Sequence, residues 1–248
     1  MLDLIPYLLA VLFGMFVGSF LNVCILRIPA GENIVTTPSH CPRCGKRLRW
    51  YELIPVLSYA VQRGTCRGCK APISAQYPLI ELANGALWVL CCAVLGFSYD
   101  TLLCCAMTSA LLVLSVIDGR TQEIPPGINY FILALGVLRT LLHLQDWKNH
   151  VIGFFAVSIF LLVLALLGGM GGGDVKLMAF AGLFLGWKAV VFAFFLGCIA
   201  GAVIHVARMA LFHASRRLAF GPYLSFGIVC AMLWAQPLIG WYMSLLSV

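Results

Sequence analysis

Two acidic residues beside long apolar segments are the side chains of this chain best suited to chemistry. Asp118 lies in SVIDGRTQEIPP, and Asp174 lies in GGMGGGDVKLMAF. A carboxylate is costly in apolar surroundings, so its presence there favours a function. Two carboxylates brought together can share one proton and hold one water, one acting as base on the water and the other as acid. The pair predicts acid–base hydrolysis if the fold brings both residues to one place.

The segment before Asp174 is unusually rich in glycine, with Gly168, Gly169, Gly171, Gly172 and Gly173. Such a run allows the chain to unwind and to approach a substrate strand closely. We therefore expect an active-site loop that contains Gly171, Gly173 and Lys176. Lys176 would either hold a negative charge on the pair or reach the lipid headgroups.

A purely structural interpretation of the two aspartates is also open. Asp118 could end a helix at the membrane interface, and Asp174 could be a helix N-cap. Glu123 is a third carboxylate near Asp118 and is a weaker catalytic candidate. A shared membrane side and the glycine run favour the functional interpretation of Asp118 and Asp174.

The composition indicates an all-α polytopic membrane protein. Of the 248 residues, 62% are hydrophobic and 10% are charged, whereas a soluble domain is nearer half apolar and a quarter charged. A helical crossing needs about 20 apolar residues. Hydropathy predicts about eight transmembrane helices, near residues 5–28, 77–97, 101–117, 128–142, 151–167, 174–185, 188–211 and 223–246.

The distribution of Lys and Arg predicts the orientation. With both termini outside, 13 of the 16 basic residues fall in cytoplasmic stretches, Arg216 and Arg217 among them, while Arg139, Lys148 and Lys188 fall outside. This topology puts Asp118 and Asp174 at similar depth on the cytoplasmic side. Because the net charge of +7 follows membrane sidedness, we expect a lipid bilayer and no nucleic acid as partner.

Four of the 11 cysteines form a metal-binding pattern in the predicted cytoplasmic loop. Cys41 and Cys44 form one CxxC, and after 21 residues Cys66 and Cys69 form another. Thiols stay reduced in the cytoplasm, which favours a metal site over disulfides or a redox pair. Four thiolates fill the coordination sphere of zinc, so the predicted zinc knuckle is structural.

In chain order, the sequence carries FGMFVGSFLNV, the double CxxC, ISAQYPLIEL, Asp118 after an apolar helix, GMGGGDVKL and AFGPYLSFG. This series of motifs resembles the type IV prepilin peptidases, membrane aspartyl proteases of the GxGD class. The resemblance covers almost the whole chain. The chain departs from the family pattern at Pro126, where members often carry Asp, and at Gly64-Thr65, where they often carry Gly-Lys.

The resemblance implies a bacterial multi-pass enzyme of the cytoplasmic membrane. It would cut the basic leader of prepilins and pseudopilins on the cytoplasmic face, with Asp118 and Asp174 as the catalytic dyad. Members with the cysteine loop usually also N-methylate the new terminus with S-adenosylmethionine, and Gly64 matches a glycine tied to methyl transfer. The implied domains are a first helix (1–28), a zinc-binding loop (29–76) and a transmembrane peptidase domain (77–248).

Two other classes of function are open to the residues alone. Acidic residues and glycine-broken helices also build the ion paths of transporters and channels. A membrane adaptor that binds partners through its zinc knuckle is the third class, but it gives Asp118 and Asp174 no role.

Overall fold

The computed structural model describes residues 4–212 and 219–246. Arg216 and Arg217, which the charge count assigns to the cytoplasm, lie outside the described residues. Ten α-helices form in the described part. They are α1 Ile5–Ala30, α2 Leu57–Val61, α3 Gln76–Leu95, α4 Tyr99–Thr121, α5 Pro126–Leu142, α6 Trp147–Ala156, α7 Ser158–Leu166, α8 Gly172–Leu185, α9 Trp187–Phe212 and α10 Gly221–Leu246.

The prediction of a helical membrane protein is confirmed. Within the described residues, five stretches of helix are long and apolar enough to cross a membrane, namely Ile5–Ala30, Gln76–Leu95, Tyr99–Thr121, Leu144–Leu166 and Trp187–Leu211. Two predicted bounds need correction. The helix that carries Asp118 runs on to Thr121, and the predicted segment 151–167 is interrupted at Val157, between α6 and α7.

The chain divides into two compact units, the first ending at Thr101 and the second beginning at Leu102. In the first unit, α1 and α3 approach closely through small residues. A Cβ at Gly14 would lie 2.8 Å from the Gly85 Cα, so neither position has room for a larger side chain. The buried Asn84 donates a hydrogen bond across this contact to the Gly14 carbonyl, at 2.7 Å. Small residues and buried amides of this kind hold membrane helices together.

The centre of the second unit is α8, which packs against α5, α6, α7, α9 and α10. Its side chains Leu177, Met178, Ala181 and Phe184 are fully buried. With 14 residues the helix is about 21 Å long, shorter than the roughly 30 Å hydrocarbon core. A helix this short can end inside the protein because its neighbours surround it.

The packing of α5 on α8 determines where the ends of both helices lie. Asn129 bonds Gly173 near their N-termini, and Arg139 bonds the Phe184 carbonyl near their C-termini. The sequence offset is nearly the same at both ends, 44 and 45 residues, so the helices run parallel. Because only four residues join α4 to α5, the end of α4 lies near these two N-termini.

Candidate active site and metal centre

Asp118 lies in the last turn of α4 and is buried, with 4% of its surface exposed. The helix ends at Thr121, and the next residue, Gln122, has a left-handed backbone (φ 56°) and donates its N–H to the Asp118 carbonyl at 2.8 Å. A left-handed conformation is costly for a residue other than glycine. The prolines at 125 and 126 follow this turn, as expected for a segment that cannot continue the helix.

Gly221 supplies the hydrogen bond that the Asp118 carboxylate accepts. It is the first residue of α10, and its backbone N–H donates to Asp118 Oδ2 at 2.9 Å. The first N–H groups of a helix have no partner within the helix, and its positive end attracts a carboxylate. A Cβ at Gly221 would lie 2.7 Å from the same oxygen, so only glycine permits this approach.

Asp174 is the third residue of α8 and is partly buried. The N-cap is Gly171, so the interpretation of Asp174 as an N-cap is wrong. Its Oδ1 is buried and has no hydrogen-bond partner among the described residues. A buried acceptor without a partner costs about 1–3 kcal/mol, which marks Asp174 as a position kept for something other than stability.

The Asp118 carboxylate lies close enough to Asp174 for its charge to act on that residue. Asp118 comes from the end of one helix and Asp174 from the start of another, 56 residues later in the sequence. One carboxylate is bonded to a helix N-terminus, and the other carries an unsatisfied oxygen. An arrangement of this kind can share a proton and orient one water molecule for attack on an amide.

The glycine segment before Asp174 is largely non-helical, as the sequence predicts, although Gly172 and Gly173 already belong to α8. A Cβ at Gly173 would lie 3.0 Å from the Ile124 Cβ, so the α4–α5 connection packs directly on this glycine. Gly171 is exposed, and a Cβ there would lie 3.7 Å from Asp174 Oδ2. The backbone of the segment therefore borders the carboxylate.

Neither Lys176 nor Glu123 takes part in the carboxylate pair. Both side chains are exposed, and no ion pair with Asp118 or Asp174 occurs in the described part of the chain. Lys176 follows Asp174 by two residues on a helix, a spacing at which side chains do not face each other. The geometry therefore favours the other predicted role of Lys176, in which its side chain reaches toward the lipid headgroups.

The four cysteines of the loop form one cluster in the first unit. Their Sγ atoms all lie within 4.8 Å of one another, and Cys41 Sγ is 3.9 Å from Cys69 Sγ. With a Zn–S bond of about 2.3 Å, the edge of a tetrahedron is about 3.8 Å. The donor set and its spacing therefore fit a four-thiolate metal ion.

The two halves of the cysteine cluster have the same backbone. The Cys41 N–H bonds the Lys46 carbonyl at 2.9 Å, and the Cys66 N–H bonds the Ala71 carbonyl at 2.8 Å, five residues further on in each half. The backbone N–H groups of Cys69 and Gly68 lower the pKa of the Cys66 thiol to about 6. The pKa shifts differ within the cluster, since, against a backbone hydrogen bond from Lys46, burial and the neighbouring thiols raise the pKa of the Cys44 thiol to about 11. The metal assignment therefore rests on the four donors and their spacing.

Gly64 precedes the second half of the cluster and has a structural need to be glycine. Its backbone is left-handed (φ 65°), and a Cβ there would lie 3.0 Å from the Tyr59 hydroxyl. Its N–H bonds the Tyr59 carbonyl, and its carbonyl accepts from the Ile73 N–H at 2.7 Å. The turn into the second half thus depends on this residue.

Sequence reasoning assigned no role to two residues of the site, Gly221 and Asn129. Gly221 lies in AFGPYLSFG, where a glycine followed by proline at a helix start was the available signal. Asn129 is a polar residue near the start of the apolar segment 128–142. Their hydrogen-bond partners lie 103 and 44 residues away in the sequence, so no local sequence pattern links the partners.

Family models match both parts of the chain. The bacterial peptidase A24 N-terminal domain matches residues 12–95, and the type IV leader peptidase family matches residues 105–206. No solved structure is significantly similar.

Curated relatives match over nearly the whole chain. A prepilin leader peptidase/N-methyltransferase of Bacillus subtilis is 34% identical over 239 residues, covering 94% of this chain and 96% of the relative. Proteins with the same name from Aeromonas hydrophila and Burkholderia pseudomallei are each 34% identical, covering 95% and 92% of this chain and 93% and 85% of their own lengths. The chain belongs to the type IV leader peptidase family.

Proposed function

We propose that the protein is a membrane aspartyl endopeptidase that removes the leader of type IV prepilins and pseudopilins and then N-methylates the new N-terminus. The observation that carries the peptidase proposal is that the end of α4, which carries Asp118, lies beside the start of α8, which carries Asp174. Ile124, just after α4, packs on Gly173, and the charge of Asp118 acts on Asp174. Family membership and relatives named for both activities support it. None of the relatives compared above is a transporter, so the transporter alternative has no support.

The two aspartates would have different roles in peptide hydrolysis. The Gly221 N–H stabilises negative charge on Asp118, whereas Asp174 Oδ1 receives no such bond from the described residues. We therefore assign Asp118 as the base that takes a proton from the attacking water. Asp174, holding the shared proton, would give it to the amide nitrogen as the carbon–nitrogen bond breaks.

The four cysteines would hold a structural zinc ion, which would fix the two halves of the loop to each other. S-adenosylmethionine would supply the methyl group for N-methylation. The geometry of Gly64 is accounted for by the turn it occupies.

The proposed setting is the bacterial cytoplasmic membrane. Five long helices together with the shorter apolar stretches Pro126–Leu142, Gly172–Leu185 and Gly221–Ala235 would make the eight spans expected from hydropathy. The Lys and Arg distribution then puts both termini outside and the Asp118–Asp174 end of the second unit on the cytoplasmic side. The domain bounds at 28 and 76 stay a prediction.

The decisive experiment is co-expression with a prepilin-like substrate, followed by mass spectrometry of the substrate. D118N and D174N should each lower leader removal by at least about 10³-fold, because neither variant retains both the acid and the base. E123Q is the matched control, since Glu123 is an exposed carboxylate five residues from Asp118, and it should cleave normally. Normal cleavage by either aspartate variant would refute the dyad, and loss of the leader without gain of a methyl group would refute N-methylation.

A further inference from the structure

Asn129 is a buried polar residue beside the proposed catalytic site. It is the fourth residue of α5 and has 1% of its surface exposed. Its Nδ2 donates to the Gly173 carbonyl at 3.3 Å, joining α5 to the residue immediately before Asp174. A buried amide is retained where its hydrogen bonds matter, because its burial is costly without them.

This hydrogen bond acts on a backbone that is otherwise hard to hold. Gly173 has no side chain with which to pack, and the backbone of glycine has more conformational freedom than that of any other residue type. Ile124 contacts it on one side, and the Asn129 amide holds its carbonyl on another. Since Asp174 follows Gly173 directly, these two contacts fix the backbone from which the Asp174 side chain extends.

The other atom of the Asn129 amide is an acceptor without a donor. Asn129 Oδ1 is buried and has no partner among residues 4–212 and 219–246, and the same holds for Asp174 Oδ1. These two buried acceptors belong to residues that are both joined to Gly173, one by a hydrogen bond and one by the peptide bond, and they require hydrogens from elsewhere. The water that an aspartyl peptidase activates has two hydrogens to donate.

We propose that Asn129 is a positioning residue of the peptidase site. Its amide N–H fixes the Gly173 carbonyl and thereby Asp174, and its Oδ1 accepts a hydrogen from the attacking water. The inference rests on the proposed peptidase function and adds a third polar side chain to the two aspartates. If Asn129 has this role, its substitution should slow the chemical step and leave substrate binding unchanged.

Two substitutions separate positioning from packing. N129L keeps a similar volume but removes both polar atoms, and N129D keeps the shape but has no N–H to donate when ionised. We expect kcat for leader removal to fall about 10–100-fold in both variants near neutral pH, the range typical of residues that orient a catalytic group, with KM changed less than about threefold. As the pH falls through the pKa of the introduced carboxyl group, which burial raises above its ordinary value, the group is protonated and can donate again, so the ratio of N129D to wild-type activity should rise from alkaline to acid pH.

Thr140 provides the matched control. It lies on the same helix, at the end of the helix pair remote from Asp174. Its hydroxyl donates to the Gly136 carbonyl at 2.8 Å and lies 3.5 Å from the Leu183 carbonyl of α8. T140V should leave kcat within about twofold of wild type. Thermal unfolding of each purified variant in detergent shows whether N129L and N129D remain folded. If N129L is unfolded, the activity and pH dependence of N129D carry the test.

Three results would overturn the inference. They are full kcat in folded N129L, a rise in KM in place of a fall in kcat, and a ratio of N129D to wild-type activity that does not change with pH. The last outcome would indicate packing alone. D174N, assayed in parallel, reports separately on the proposed function, because its normal activity would refute the dyad whatever the Asn129 variants do.

Discussion

The cysteine cluster and the aspartate pair are both groups of ionisable side chains, but they are built in opposite ways. All four cysteines lie within 29 consecutive residues, and local backbone hydrogen bonds close each half of the cluster. The aspartates come from two helices of a bundle, and the polar atoms around them include two buried acceptors without a partner among the described residues. A closed set of ligands is typical of a structural metal, and an incomplete set of hydrogen bonds is typical of a site that receives a reactant.

The two sites also differ in where backbone strain lies. Gly45 and Lys70 occupy the same position in the two halves of the cysteine cluster, and both have left-handed backbones, with φ of 69° and 59°. Among the described residues of the second unit, Gln122, just after the helix that carries Asp118, is the non-glycine residue with a left-handed backbone. Strain in the cluster forms a metal-binding turn, whereas strain at Gln122 turns the chain so that Ile124 can contact Gly173.

Removal of metal ligands should have the largest effect and should test whether the two sites are separable. The double substitution C66S/C69S removes half of the ligands, so the zinc content should fall from about one ion per chain to none. Elemental analysis measures this loss, and hydrogen exchange at residues 40–72 should show that amide protection falls with it. Leader removal should decrease far less than in D174N, because the cysteines supply no catalytic group.

C24A is the control for the cysteine substitutions, since Cys24 is a buried cysteine of α1 outside the cluster. It should retain the metal. The comparison between a structural and a catalytic site would be broken if C66S/C69S kept its zinc, or if it lost cleavage as completely as D174N.

Substitution of Gly221 tests the aspartate pair, the site whose hydrogen bonds are incomplete. In G221A the new methyl group would lie 2.7 Å from Asp118 Oδ2, so the carboxylate or the start of α10 must shift. We expect kcat for leader removal to fall about 10–100-fold, because the displaced carboxylate no longer faces Asp174 correctly. Zinc content should be unchanged.

Gly172 offers the matched alanine substitution. It lies two residues before Asp174, yet a Cβ there would meet open space. G172A should therefore cleave at nearly the wild-type rate. Equal activities of G221A and G172A would show that the close approach of Gly221 to Asp118 has no catalytic consequence.

The difference between the two regions also explains what the sequence could predict. CxxC spacing is local, so the cluster of Cys41, Cys44, Cys66 and Cys69 was predictable from residue type and spacing alone. Asp118 and Asp174 were predictable because carboxylates near apolar segments are rare and hydropathy puts both at one depth. Gly221 and Asn129 were not, because their partners depend on how helices far apart in sequence pack together. The break at Val157 had a weak signal in Ser158, whose hydroxyl donates back to the Phe154 carbonyl, a bond that often bends helices.

The smallest predicted effect concerns the carboxylate that supports the cysteine loop. Glu52 is buried, accepts from the Arg49 N–H at 2.9 Å and forms an ion pair with Lys46 Nζ at 3.1 Å. These contacts, the Arg49 N–H first, hold the pKa of Glu52 below its ordinary value. Its partners are complete, in contrast to those of Asp174, so we expect Glu52 to contribute to stability and not to cleavage.

E52Q should lower the opening free energy of the loop by about 1 kcal/mol at pH 7, measured by hydrogen exchange at the Arg49 amide, without changing leader removal. Because the folded state lowers the pKa, the stabilisation by Glu52 is present above the ordinary carboxyl pKa and is lost as the pH falls through the lowered value. The difference between E52Q and wild type should therefore shrink as the pH falls below about 4. E32Q is the control, because Glu32 is exposed and its ion pair with Arg27 Nε is long, at 3.9 Å. The effect of E32Q should stay within about 0.5 kcal/mol at every pH. A difference that persisted in acid would mean that Glu52 acts through its shape and not through its charge.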